Sequence, residues 1–235
     1  MLLAFFSELL GTLGGVSSST LFVPLAKILE SVPVTLALTA TLHVLGNSVR
    51  TVLYWKSINW PLVLKFGGVS ILFTGIGALF SDSFSDRIFS ILLGLFLMSL
   101  SIYFLFFKSV KIYEAKWVPY FGGALSGLLT GMLGSGGAVR SLALAVFQLN
   151  PLTFVATSTL IDFGGDILRL GIYLNKGYLN SEHYFYVPLL MVVALLANWI
   201  AKAGLKRISK EKFNKMVLIF VFIMGLISAA NLGVK

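Results

Sequence analysis

Eight apolar stretches follow one another along this chain, at approximately residues 2–29, 32–55, 60–80, 87–107, 118–148, 151–174, 184–204 and 213–233, with short polar breaks between them. A helix needs about 20 apolar residues to cross the hydrocarbon core of a bilayer, and most of these stretches have that length. Of the 235 residues, 57% are apolar and only 11% charged, where an ordinary soluble domain has about 25% charged. A chain of this size cannot hide so much apolar surface from water. Lipid must be its solvent along most of its length, which predicts an all-α, polytopic helical protein, multi-pass in the cytoplasmic membrane.

The absence of cysteine excludes disulfides, thiolate metal sites and cysteine nucleophiles. The two histidines, His43 and His183, lie on different segments, so no metal site is expected and no cofactor is implied. The net charge of +9 comes from cations in short loops, with no basic arm or aromatic-basic array. Positive-inside loops account for it, and no nucleic-acid partner is expected. The N-terminus, Met1 to Glu8, lacks a basic region and a cleavage site and reads as mature protein, not as a signal peptide. No GxxxxGK[ST] signature is present, so the chain brings no ATPase of its own.

The first and fifth stretches are too long for one span and carry clusters of small residues: Gly11 to Thr20 in one, Gly127 to Ala138 in the other. The clusters are one feature seen twice. Gly11 and Gly14 match Gly131 and Gly134 at an offset of 120. Pro33 and Pro151 open the stretches that follow. Thr35, Thr39 and Thr41 match Thr153, Thr157 and Thr159 at 118, and Gly46, Arg50 and Tyr54 match Gly165, Arg169 and Tyr173 at 119. The chain reads as an internal repeat, residues 1–116 and 117–235, together forming one membrane domain.

Loop charge indicates how the halves are oriented. If all eight stretches span, the loop cations divide evenly between the two sides. If the first and fifth are re-entrant hairpins bent at their glycines, each half has three spanning helices and the halves are inverted. One side then holds Lys56, Lys65, Lys108, Lys111, Lys116, Lys202, Lys206, Arg207, Lys210, Lys212 and Lys215, against Lys27, Arg87, Lys176 and Lys235 on the other. That asymmetry is the one the positive-inside rule expects, and it places both termini away from the cytoplasm.

A glycine cluster at membrane depth must be buried in protein or line water, because unpaired backbone groups cannot face lipid. Two hairpin tips meeting near the midplane would present half-helix N–H groups to an anion, from Gly14, Ser17, Ser18 and Ser19 on one side and Gly134, Ser135, Gly136 and Gly137 on the other. Close packing by small residues is the alternative. Arg140 lies three residues past Gly137 and can fork two oxygens of a sulfonate, sulfite or carboxylate, or else pair with a carboxylate. His43, Asn47 and Arg50 share one helical face, and Asp162, Asp166 and Arg169 hold the matched positions of the second half. Asp162 or Asp166 can carry a proton for coupling; alternatively Asp166 neutralises Arg169. His43 can titrate or serve as a hydrogen-bonded core residue. Glu8 receives no role, and Trp55, Trp60, Trp117 and Trp199 suit an aromatic belt.

The repeated glycine-rich hairpin, the proline-led Thr/Ser-rich helix after it and the run Gly127-Leu-Leu-Thr-Gly-Met-Leu-Gly-Ser-Gly-Gly137 resemble the sulfite exporter TauE/SafE family across essentially the whole chain. In the first half Val16-Ser17-Ser18-Ser19 stands where the family's glycine run usually lies. The resemblance implies a transporter of small sulfur oxyanions or organosulfonates, such as sulfite or sulfoacetate. The residues alone reach only a midplane anion site in an inverted-repeat carrier. They leave open an anion channel or a carrier for a small carboxylate, with an intramembrane enzyme or a scaffold less well supported.

Overall fold

A computed structural model describes residues 1–14, 17–83, 86–106, 116–147 and 149–204, with single residues between 219 and 230. Gly15, Val16, Lys108, Lys111, Lys206, Arg207, Lys210, Lys212, Lys215, Lys235 and most of the eighth apolar stretch lie outside the described residues.

Both over-long stretches break where their small residues cluster. The first gives α1 (Leu2–Gly14) and α2 (Ser19–Ala26); the fifth gives α7 (Val118–Leu133) and α8 (Gly137–Ala145). The second break is set by backbone chemistry. Gly134 ends α7 at φ 67° and donates its N–H to the Thr130 carbonyl at 3.0 Å. That left-handed conformation favours a residue without a β-carbon.

Proline and a polar cap start the long helices. α3 (Val32–Tyr54) carries Pro33 in its first turn, and α9 (Pro151–Asn175) begins at proline with the Asn150 side chain accepting from the Thr153 N–H at 2.9 Å. The third stretch is a short α4 (Trp60–Leu62), a π turn (Val63–Gly67) and α5 (Gly68–Leu79) in one rod. α6 (Asp86–Phe106) and α10 (Tyr186–Gly204) complete the described helices. Among the described residues there is no strand. Three helical runs, Val32–Ser57, Trp60–Leu79 and Ser181–Ala203, are long and apolar enough to cross a membrane; Leu2–Leu13, Ile91–Tyr103 and Val118–Leu133 are shorter apolar helices.

Several hydroxyls inside these helices are satisfied locally. Thr39 donates to the Thr35 carbonyl at 2.6 Å, Thr41 to that of Ala37 at 2.9 Å and Thr130 to that of Ser126 at 2.7 Å. A threonine bonded to its own helix needs nothing from lipid.

The main packing lies between α5 and α7, α3 and α9, α5 and α9, and α1 and α10. Gly123, Gly127 and Gly131 form a stripe on α7 against the α5 backbone. A β-carbon at Gly123 would come 2.7 Å from the Phe66 oxygen, and one at Gly131 would come 2.6 Å from the Ala78 nitrogen. Close packing by small residues is therefore the work of this part of the second cluster. α3 and α9 run antiparallel: His43 meets Arg169, Asn47 meets Asp166, and the Asn59 N–H beyond the α3 end reaches Thr157 near the α9 start. Outside the apolar core, Lys176 at the end of α9 donates to Asp82 and to the Leu79 carbonyl, both at 2.8 Å. The hydrogen bond from Lys176 holds the exposed Asp82 carboxyl below the usual carboxylate range.

Candidate functional site

Because α3 and α9 cross antiparallel, their two polar stripes face each other in the middle of the protein. Asn47 Nδ2 donates to Asp166 Oδ2 at 2.6 Å. Arg169 Nε donates to Asp166 Oδ1 at 2.9 Å, and another guanidinium nitrogen reaches His43 Nδ1 at 3.1 Å. A guanidinium only donates, so His43 Nδ1 accepts. The same Nδ1 lies 3.5 Å from Asp166 Oδ1, and Nε2 is 3.0 Å from the Ser18 hydroxyl. His43 is thus a hydrogen-bonded link between the first break and α9. Of the two roles open to Asp166, the structure displays the pairing with Arg169.

The chain of polar contacts continues toward the N-terminus. Arg50 donates to Asn47 Oδ1 at 2.6 Å and to Thr12 Oγ1 at 2.6 Å, and it pairs with Glu8 at 2.8 Å. Asn198, from α10, donates to Glu8 Oε1 at 3.0 Å and accepts from Thr12 at 2.9 Å. Arg50 therefore ties α3 to α1, much as Arg169 ties α9 to α7 by donating to the Thr130 carbonyl at 3.3 Å. Glu8, Thr12 and Asn198 had no assigned role from the sequence. Their signal was present: single polar residues in apolar helices, which lipid tolerates only when they are partnered.

The third arginine, Arg140 on α8, pairs with Asp162 and donates through Nε to Ser158 Oγ at 2.8 Å. Three buried arginines thus each have a carboxylate, two of them fully buried and Asp162 partly so: Arg50 with Glu8, Arg140 with Asp162, Arg169 with Asp166. Buried ion pairs add little net stability because desolvating both charges offsets their attraction. In a membrane helix they point to function.

The two breaks touch. A β-carbon on Gly137 would run into the Ser17 side chain, and one on Gly11 would come 2.6 Å from the Ser18 nitrogen. Ser17 bonds Ser19 at 2.9 Å and lies 3.4 Å from His43 Nε2. Beside this junction is a cavity of about 30 Å3, partly open to solvent. That is room for about one water and well below the about 300–1,000 Å3 typical of ligand sites. Gly11, Thr12 and Ser17 line it from the first break, Asn47 and Arg50 from α3, Arg140 from α8, and Ser158, Thr159 and Asp162 with Phe154 and Val155 from α9.

Of the candidate residues, Ser17, Asn47, Arg50, Arg140 and Asp162 thus share one wall. Ser18, Ser19 and His43 join it through hydrogen bonds at the first break, and Asp166 and Arg169 through Asn47 and His43. Gly14 ends α1. Gly134 caps α7, and Gly136 packs so tightly on Ser126 and Thr130 that a side chain has no room. The Ser135 hydroxyl is fully buried without a hydrogen-bond partner among the described residues. Ser158 is a wall residue the sequence did not single out, and Thr159, also on the wall, was marked there only as a repeat position.

Long apolar helices around a charge-bearing polar centre define a helical membrane protein. The sulfite exporter TauE/SafE family model matches residues 1–227, and the chain belongs to that family. It is 26% identical over 184 residues to "Probable membrane transporter protein MJ0441" of Methanocaldococcus jannaschii, a match covering 73% of this chain and 68% of that one. No solved structure matches the chain.

Proposed function

We propose that the protein is a secondary transporter that moves a small sulfur-containing anion, such as sulfite, sulfoacetate or a related sulfonate, across the cytoplasmic membrane. The observation that carries this reading is the cavity at the junction of the two helix breaks, with the Arg50 and Arg140 side chains on its wall. Asp162 is the one carboxylate among the wall residues, so cationic charge exceeds anionic charge there. Glu8 balances Arg50 from off the wall. A planar guanidinium matches two oxygens of a sulfonate or sulfite, and Ser17, Ser158 and Thr159 add hydroxyl donors. Family membership supplies the sulfur; the wall chemistry supplies the anion.

The same reading takes the two halves as inverted repeats, each a re-entrant broken hairpin followed by three spanning helices, multi-pass in the membrane. Equivalent helices of inverted repeats run in opposite directions, and the antiparallel crossing of α3 and α9 supports this assignment. The exchange of partners between halves also fits: α1 rests on α10 and α7 rests on α5. Transport would then alternate access around the junction of the breaks, with no enzymatic step and no cofactor.

The test is uptake of labelled sulfite and sulfoacetate into proteoliposomes. Wild type should show saturable, gradient-driven uptake, and Arg140→Ala should lose it while reconstituting normally. Undiminished transport by Arg140→Ala would remove the cavity from the substrate path. Unsaturable flux with high unitary conductance would make the protein a channel.

A further inference from the structure

We propose that Asp162 is a tethered occupant of the anion site, holding Arg140 until an incoming anion takes its place as Asp162 accepts a proton. One proton would then enter with each bound monoanion. This rests on reading the cavity as the anion site.

The three arginine-paired carboxylates are not equivalent. Asp166 accepts from Arg169 through one oxygen and from Asn47 through the other, and its side chain is 0% exposed. Glu8 is likewise 0% exposed and is held by Arg50 and Asn198. Asp162 is 11% exposed, lines the cavity, and binds Arg140 through Oδ1. Among the three it alone lines the cavity, together with the arginine it pairs with. Its carboxylate stands where a substrate's oxygens would have to stand.

Charge balance then sets the order of events. With no anion, Arg140 and Asp162 neutralise each other. If a monoanion takes Arg140, the Asp162 carboxylate is left partly buried without its cation, and an unpaired buried charge is strongly unfavourable. One proton on the freed carboxylate restores the balance: Arg140 pairs with the anion, and Asp162 is a neutral acid able to donate a hydrogen bond to it. One anion and one proton enter, and the charge of the site is unchanged.

The neighbouring charges leave this exchange to the one pair. On its own helix Asp162 is near Asp166 and Arg169, which pair with each other. From α3, His43 is bonded to Ser18 and Arg169 and lies 3.5 Å from the Asp166 carboxylate, and Arg50, across the cavity, is held by Glu8 of α1. α8 contributes Arg140 itself. From α5, Ile71 and Thr74 face the glycines of α9 and bring no titratable group. α7 offers the Thr130 and Gly131 carbonyls.

The experiment is isothermal titration of the purified full chain with methanesulfonate, ethanesulfonate and sulfate, whose charges stay fixed through mildly acidic and mildly basic pH. Each titration is run in two buffers of different ionisation enthalpy, which counts protons taken up. Wild type should take up one proton per sulfonate bound, with affinity falling about tenfold per pH unit on the steep limb. Asp162→Asn should bind sulfonate with no proton uptake and no such pH dependence. Wild-type binding without proton uptake overturns the coupling and leaves the anion site standing. An Asp162→Asn variant that keeps the full pH dependence also overturns it. If Asp162→Asn does not fold, the wild-type proton count decides alone. Failure of wild type to bind any of the three anions overturns the anion site, and the coupling with it.

Discussion

Asp166→Asn isolates what the innermost ion pair does. The change keeps the shape of the side chain and removes one charge. Arg169, 0% exposed, would lose the carboxylate that its Nε meets at 2.9 Å. Breaking a buried pair by removing one partner typically costs about 3–5 kcal/mol, because the remaining charge is buried without compensation. The bond from Asn47 at 2.6 Å weakens as well, since its acceptor is no longer charged. The two losses share one group and do not add in full, so a destabilisation of about 4 kcal/mol is expected. That is a large part of the roughly 5–15 kcal/mol by which folded proteins are stable. The assay is equilibrium unfolding in mixed micelles, followed by circular dichroism. The double variant Asp166→Asn with Arg169→Gln removes both charges and should be clearly more stable than Asp166→Asn alone. A single variant within about 1 kcal/mol of wild type, or a double variant as unstable as the two singles summed, would refute the claim that Asp166 serves as the structural counter-ion.

Gly137→Leu should abolish transport and cost about 1–3 kcal/mol by overpacking, because its β-carbon runs into Ser17; uptake at the wild-type rate would show that the breaks need not touch. Asn198→Leu should cost about 1–3 kcal/mol by leaving Thr12 and Glu8 short of a partner, with unfolding in mixed micelles as the readout and no loss as the contrary result. Inverted halves predict that single cysteines at positions 65 and 116 are labelled from the cytoplasmic side and those at 87 and 176 from the other. The cysteine-free chain makes this measurement clean, and labelling of 176 from the same side as 65 and 116 would overturn the inverted arrangement.

Much of the architecture was legible because lipid imposes stringent rules on sequence. Apolar length marked the helices, and Pro33 and Pro151 marked the starts of α3 and α9. Glycine and serine clusters marked the breaks at Gly14 and Gly134, since only such residues let two backbones approach and turn within an apolar medium. Helical spacing and matched offsets singled out two stripes, His43, Asn47 and Arg50 on one helix and Asp162, Asp166 and Arg169 on its repeat counterpart, and the structure sets the two stripes face to face.

The partnerships were not legible. Helical spacing places a side chain on a face of its own helix, but which opposite face it meets depends on how the helices cross. Asp166 could be paired with Arg169 from their spacing alone, whereas Glu8 with Arg50 and Asn198 with both needed α1, α3 and α10 in place. The function of each glycine was hidden for the same reason. Gly131 supports packing on α5, while Gly137 meets Ser17 across the junction, though both belong to one cluster. Sequence by itself fixed the solvent, the helices and the places where they break, because these depend on each segment's own hydrophobicity and backbone freedom. Only the tertiary structure decided which buried charge answers which, because ion pairing depends on distances of a few ångströms between segments far apart in the chain.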